Sequence, residues 1–186
     1  MVALHRNRVM GHTFGLLADT HDNAVDWSKA LDHIRAALGD VDAIIHCGDL
    51  CTSQALVTLS DIAPIWAVRT QADVTASPPV LVDGPRILEA GRVQIGVVAT
   101  LSADPVGAEV NPAVRFVRTT GRDVAGRLFG GPVDVCVFGG THRAEIITMG
   151  GTLFVNPGSP TLADRRSAGL LVVDGESARV EIRSVG

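Results

Sequence analysis

The chain is short of positive charge. Its 16 Lys and Arg are outnumbered by 20 Asp and Glu, giving a net charge of −4 with the six His neutral. It offers no basic field to a polyphosphate backbone, so nucleic acid is not the expected partner. Nowhere do 18 apolar residues run together, and Met1 to Arg8 carries basic residues with no apolar segment behind them. Neither a membrane span nor a signal peptide is expected, and the setting read from this is cytoplasmic. No repeat or low-complexity tract is present. Cysteine is scarce: Cys47, Cys51 and Cys136 are an odd number at no zinc-binding spacing, and read as reduced thiols in the core. Histidine is missing from one long stretch, with none between His46 and His142.

What is present suits a folded protein. With 186 residues, of which 46% are hydrophobic, and a mean hydropathy of +0.28, the chain can bury a sizeable core. Residues 10–186 read as a single domain and residues 1–9 as a flexible tail, since Met10-Gly11-His12-Thr13 would serve equally well as a start.

The first half alternates short apolar runs with helical spacing. Strand Thr13–Ala18 leads to a helix near Val25–Leu38, where Ala30, Leu31, Ile34, Ala37 and Leu38 share a face and Gly39 stops it. Strand Ala43–Cys47 leads to a helix capped by Thr52 or Ser53 and running to about Ile62, and strand Ile65–Arg69 follows. This opening implies a parallel sheet with right-handed crossovers. From Val80 hairpins take over: Arg86–Ala90 with Val93–Val98, Glu145–Met149 with Thr152–Val155, and Gly169–Val173 with Ala178–Arg183. Between them, Ser102–Gly121 reads as a surface excursion, followed by a short helix near Asp123–Phe129 and a strand at Val133–Phe138. The expected architecture is α/β, a four-layer αββα sandwich of two mixed sheets flanked by helices.

Chemistry gathers where strands run out. Asp19-Thr20-His21 and Gly48-Asp49 each follow an apolar run, and open α/β sheets collect ligands outside the carboxyl ends of their strands. Two carboxylates and an imidazole there suit Mn, Fe or Zn. With Thr70-Gln71-Ala72-Asp73, Gly139-Gly140-Thr141-His142 and Asn156-Pro157-Gly158-Ser159 following in order, the chain resembles the calcineurin-like metallophosphoesterase superfamily, in its small bacterial and archaeal phosphodiesterase branch. The resemblance spans roughly residues 12 to 183.

That resemblance implies two adjacent metal ions bridged by one carboxylate, clamping a phosphoryl group. It assigns the first ion to Asp19, His21, Asp49 and His142, all present. The second ion's positions are degenerate: Gln71 stands for an Asn and could offer only a weak amide ligand, while Leu101 and Gly140 stand for His. The family's loop His that assists the leaving group is Ala72 here. The losses fall on one ion's ligands, which implies one divalent ion, Mn first, with Fe, Zn, Ni or Mg as alternatives.

Other polar residues have plainer readings. His46 reads as a hydrogen-bonded core side chain, Asp73 as a brace for its loop, and Asn156 to Ser159 as scaffold behind the site. Asp104, Glu109 and Asn111 in the excursion read as a solvated face. Two functions follow from the resemblance: a metal-dependent phosphoesterase acting weakly or selectively on a small phosphate ester, or a fold-retaining scaffold that binds a protein partner. Self-association into a homo-oligomer is left open, and no catalytic side chain beyond the ligands is assigned.

Overall fold

The computed structural model describes residues 4–73, 81–101 and 121–186. Twelve strands form two mixed six-stranded sheets. The opening strands are β1 (His5–Val9), β2 (Thr13–Leu17), β3 (Ala43–His46), β4 (Ile65–Arg69) and β5 (Leu81–Asp83). After them come β6 (Arg86–Ala90), β7 (Val93–Thr100), β8 (Val135–Gly139), β9 (Ala144–Met149), β10 (Thr152–Pro157), β11 (Ser167–Asp174) and β12 (Ser177–Ser184). Among the described residues, the helices of eight residues or more are α1 (Trp27–Leu38), α2 (Ser53–Ser60) and α3 (Gly121–Phe129). No helix among the described residues is long and apolar enough to cross a membrane.

One sheet runs β12-β11-β2-β3-β4-β5, with β2 to β5 mutually parallel and β11 and β12 antiparallel. The other runs β1-β6-β7-β8-β10-β9. The central strand β3, Ala-Ile-Ile-His, is buried throughout, as a parallel strand covered on both faces must be. The sheets face each other through Phe14, Leu16 and Ile45 on one side and Ile95, Val97 and Val137 on the other.

Helices close the outer faces. On α1, Trp27, Ala30, Ile34 and Leu38 lie on one stripe and are buried against the first sheet, and the Asp26 carboxylate accepts the Lys29 N–H to start the helix. The Thr52 hydroxyl caps α2 by accepting the Gln54 N–H at 3.2 Å. On the second sheet, Phe129 of α3 lies flat on Gly96, where an added Cβ would stand 2.4 Å from its ring. The layers are therefore αββα, as expected.

Two departures concern edges. Residues 5–9, expected as part of a flexible tail, form β1, which pairs in parallel with β6 from His5↔Arg86 to Val9↔Ala90. The unpaired backbone of β6 offers a ladder that needs no apolar side chains, and the polar His-Arg-Asn-Arg run gave no strand signal. Strand β5 was not anticipated either; its three residues pair with Ala67 to Arg69. The expected excursion at 102–121 lies outside the described residues except for Gly121, which opens α3.

Candidate metal centre

Asp19 and His21 follow β2, Asp49 follows β3, Asp73 follows β4 and His142 follows β8, all beyond carboxyl ends of strands. The two leading loops extend the β2–β3 ladder past its end. Asp19 N–H donates to the Gly48 carbonyl at 3.1 Å and His21 N–H to the Asp49 carbonyl at 2.9 Å. Two acidic side chains are thus held close by backbone bonds rather than by attraction.

Asp19, His21 and His142 bring one donor atom each to within 4.8 Å of one another. The Nε2 atoms of His21 and His142 stand 3.3 Å apart. Two nitrogens bound at ~2.0–2.1 Å and a tetrahedral angle would be separated by about 3.3 Å, so this spacing is that of two ligands sharing one ion. Asp49 Oδ2 lies 3.9 Å from His21 Nε2 but stands outside this three-donor cluster. Burial foremost, and the Asp49 charge as well, push Asp19 above the ordinary carboxylate range, although N–H bonds from Gly140 and His142 and the His142 imidazole pull the other way. A divalent cation among these groups would remove that penalty, so the donor set fits one.

Each donor is held from behind. Gly140 N–H donates to both Asp19 oxygens, at 3.0 and 2.9 Å, and His142 N–H to Oδ2 at 3.3 Å. The Ser159 hydroxyl donates to the Asp19 carbonyl and the Thr161 hydroxyl to that of Thr20, both at 2.7 Å. Asn156 Nδ2 donates to the Thr141 hydroxyl at 3.0 Å. Asn156 to Ser159 thus braces the site without entering it. Asp73 accepts N–H groups from Cys51 (2.8 Å), Thr70 (2.9 Å) and Asp49 (3.1 Å). Burial alone would raise its pKa, but the Thr70 and Cys51 N–H bonds and nearby His46 hold it below the usual range.

His46 is buried away from the donor atoms. Its Nδ1 accepts the Gly48 N–H at 3.1 Å, which leaves Nε2–H for the Thr20 hydroxyl at 3.3 Å. That hydroxyl in turn donates to the Asp49 carbonyl at 3.3 Å. Burial foremost pulls the His46 pKa down to about 4, so the ring stays neutral.

Among the described residues, five non-glycine residues have left-handed backbone: Asp19 (φ 53°), His21 (40°), Asp49 (57°), Cys51 (74°) and His142 (57°). Each costs of order 1–3 kcal/mol, and such residues collect at functional sites. All four expected ligands are among them.

Two residues were missed. Cys51 Sγ lies 3.5 Å from His21 Nδ1, on the opposite side of the ring from Nε2. Burial first, then Asp73, Asp22 and Asp49, raise this thiol to about 11, so it stays protonated beside the imidazole. Thr70 places its hydroxyl on Asp49 Oδ1 and 3.0 Å from Asp73 Oδ2. The only hint of either was its position, two residues after Asp49 and one before Gln71.

The degenerate positions bring nothing to the donor set. Gln71 is exposed, and Leu101 packs against the apolar cluster beneath α3. Gly140 has φ +88°, and a Cβ there would lie 3.2 Å from Thr100 Cβ. Asp104, Glu109 and Asn111 lie outside the described residues.

Residues 13–178 match the calcineurin-like phosphoesterase superfamily domain. The chain belongs to this superfamily. A "Probable metallophosphoesterase" of Methanocaldococcus jannaschii is 32% identical over 158 residues, covering 83% of this chain and 72% of the relative. Among solved structures, a novel archaeal phosphodiesterase superposes with a TM-score of 0.61 at 18% identity, covering 91% of this chain and 99% of the other. Wild-type Vps29 from Entamoeba histolytica, complexed with zinc, superposes with a TM-score of 0.59 at 19% identity, covering 92% and 98%.

Proposed function

We propose that this protein is a metal-dependent phosphoric ester hydrolase, specifically a phosphodiesterase, working with one tightly held divalent ion. The ligands are Asp19, His21, Asp49 and His142, and Mn suits their mix of carboxylate and imidazole. Its setting is the cytoplasm, where Cys47, Cys51 and Cys136, all buried, stay reduced. The observation that carries the reading is the pair of imidazole Nε2 atoms 3.3 Å apart, facing a buried carboxylate.

A divalent ion held by these residues would supply positive charge against a phosphoryl oxygen and would lower the pKa of water there. The chain's own part is to hold the donors in place. Gly140 fixes the Asp19 carboxylate, Cys51 backs the His21 ring, and Asp73 with the His46–Thr20 pair anchors the backbone of Asp49. The Thr70 hydroxyl occupies Asp49 Oδ1, which supports one ion rather than a bridged pair. With Ala72 where the superfamily's loop His would stand, that residue's help in protonating the leaving group is lost. Esters with acidic leaving groups are therefore favoured, and turnover is slow or selective.

A protein-binding role is the second reading, and the exposed large hydrophobics among the described residues are Leu4, Met10, Val57, Ile146 and Leu162. The test joins calorimetric titration of stripped protein with Mn to turnover of bis(p-nitrophenyl) phosphate. One tight ion per chain and metal-dependent release of p-nitrophenol are expected. Two tight ions, or an ion without turnover, would overturn the proposal.

A further inference from the structure

A cavity of about 640 Å³ opens beside the metal centre, and His142 belongs to both. Its wall also takes in the turn after β8 and the loop before β11, which carry Arg143, Leu162, Asp164, Arg165 and Arg166, with Ile182 and Ser184 of β12. Three guanidiniums against one carboxylate make this mouth cationic on a chain whose net charge is −4. A hydrolase that needed only the scissile phosphate would have no use for this second concentration of charge. Arg166 is tethered, donating to the Gly186 carbonyl at 3.0 Å, while Arg143 and Arg165 form no ion pair among the described residues. The volume is that of a site for a small organic ligand, far larger than one phosphoryl group needs. Exposed Leu162 gives the wall an apolar face on which a carbon skeleton can rest.

We propose that this cavity is a second-phosphate subsite, so that the preferred substrate is a phosphodiester whose retained substituent bears another phosphoryl group. The inference rests on the hydrolase reading for its scissile end. Guanidinium groups pair with phosphate oxygens in a planar two-point fashion, which makes arginine the suited residue here. With the scissile phosphate against the Asp19–His21–His142 cluster, the remainder of the ester extends past His142 toward Arg143 and Arg165. The groove is open and its arginines are exposed, so the preference weakens as salt rises.

The test is a binding measurement, with turnover as a separate readout. Metal-loaded protein is titrated calorimetrically with thymidine 5′-monophosphate and thymidine 3′,5′-bisphosphate at low ionic strength. The bisphosphate should bind at least tenfold more tightly. In the double variant Arg143→Ala/Arg165→Ala, both changes being on exposed side chains, that ratio should fall towards one. Propane-1,3-diol bisphosphate should show a similar gain over its monophosphate. Equal affinities in the wild type, a ratio that survives the double variant, or a gain confined to the nucleotide pair would each overturn the subsite. Its failure is separable from that of the hydrolase reading: a protein that cleaves bis(p-nitrophenyl) phosphate yet binds both nucleotides equally loses only the subsite. A protein that discriminates between them without turnover loses only the hydrolase.

Discussion

The left-handed backbone at His142 sets up an opposition between stability and ligation. Glycine adopts φ 57° freely, whereas histidine does so at a cost of order 1 kcal/mol or more. His142→Gly should therefore leave the thermal midpoint of the metal-free protein unchanged or raised, while Mn affinity falls about a hundredfold with the loss of a ligand worth more than its outer supports. Calorimetry on both forms checks this, and a variant that binds Mn normally would remove His142 from the ligand set. His46 gives the complementary case. Its folded pKa of about 4 lies below its ordinary 6.5, so between those values the unfolded chain binds more protons. Stability should thus fall as pH drops from 6.5 towards 4, by up to about 2 kcal/mol at pH 5 from this one group. Urea midpoints at pH 7 and pH 5 should show that loss shrink in His46→Gln. That Asp19, His21 and His142 gather was legible in the sequence because their types and order carry the chemistry. Cys51 and Thr70 were not, because an orienting role depends on which way a side chain points, and no spacing rule encodes that.

At the scale of elements, loops at strand ends decide what the site can become. The turn from Gly139 to His142 spends the Gly140 N–H on Asp19 and would set a Cβ tightly against Thr100, at 3.2 Å. Restoring a second ion by Gln71→Asn, Leu101→His and Gly140→His together must therefore overcome a strained backbone at Gly140 and a Leu101 side chain already packed below α3. The expected outcome is that Gln71→Asn with Leu101→His lowers the thermal midpoint, through the lost Leu101 packing, and that adding Gly140→His lowers it further. Scanning calorimetry on the double and triple variants distinguishes them. A triple variant that folds as well as the wild type, binds two ions and gains tenfold in turnover, ~1.4 kcal/mol at the transition state, would show the strain to be unimportant. Elements with strong periodicity, such as α1 and the β6–β7 hairpin, were readable to within a residue or two. Strands β1 and β5 were not, because edge pairing is paid for by backbone bonds and leaves little side-chain pattern.

Across the whole molecule, the donor set joins the two sheets. Asp19, His21 and Asp49 leave the β2–β3 side, His142 leaves β8 in the other sheet, and the bond from His142 N–H to Asp19 spans 123 positions. The sandwich itself was legible because parallel units followed by hairpins leave few ways to bury both faces. That one end of it would be closed by polar side chains from both sheets followed only from the resemblance, since order in sequence does not give distance.

This long-range closure has a kinetic consequence. A chain still being synthesised that stops short of β8 already holds three of the four donors but cannot close the set, so tight capture of the ion waits until the second sheet is nearly complete. Contacts formed so late are absent from the rate-limiting step of folding. Saturating Mn should therefore leave the refolding rate in denaturant jumps unaltered while slowing unfolding, about a hundredfold when free ion stands at a hundred times its dissociation constant. An ion that instead accelerated refolding would mean that the two loops meet before the sheets do. If unfolding alone responds, the metal acts as a latch on the finished molecule, setting how long it stays folded without guiding how it gets there.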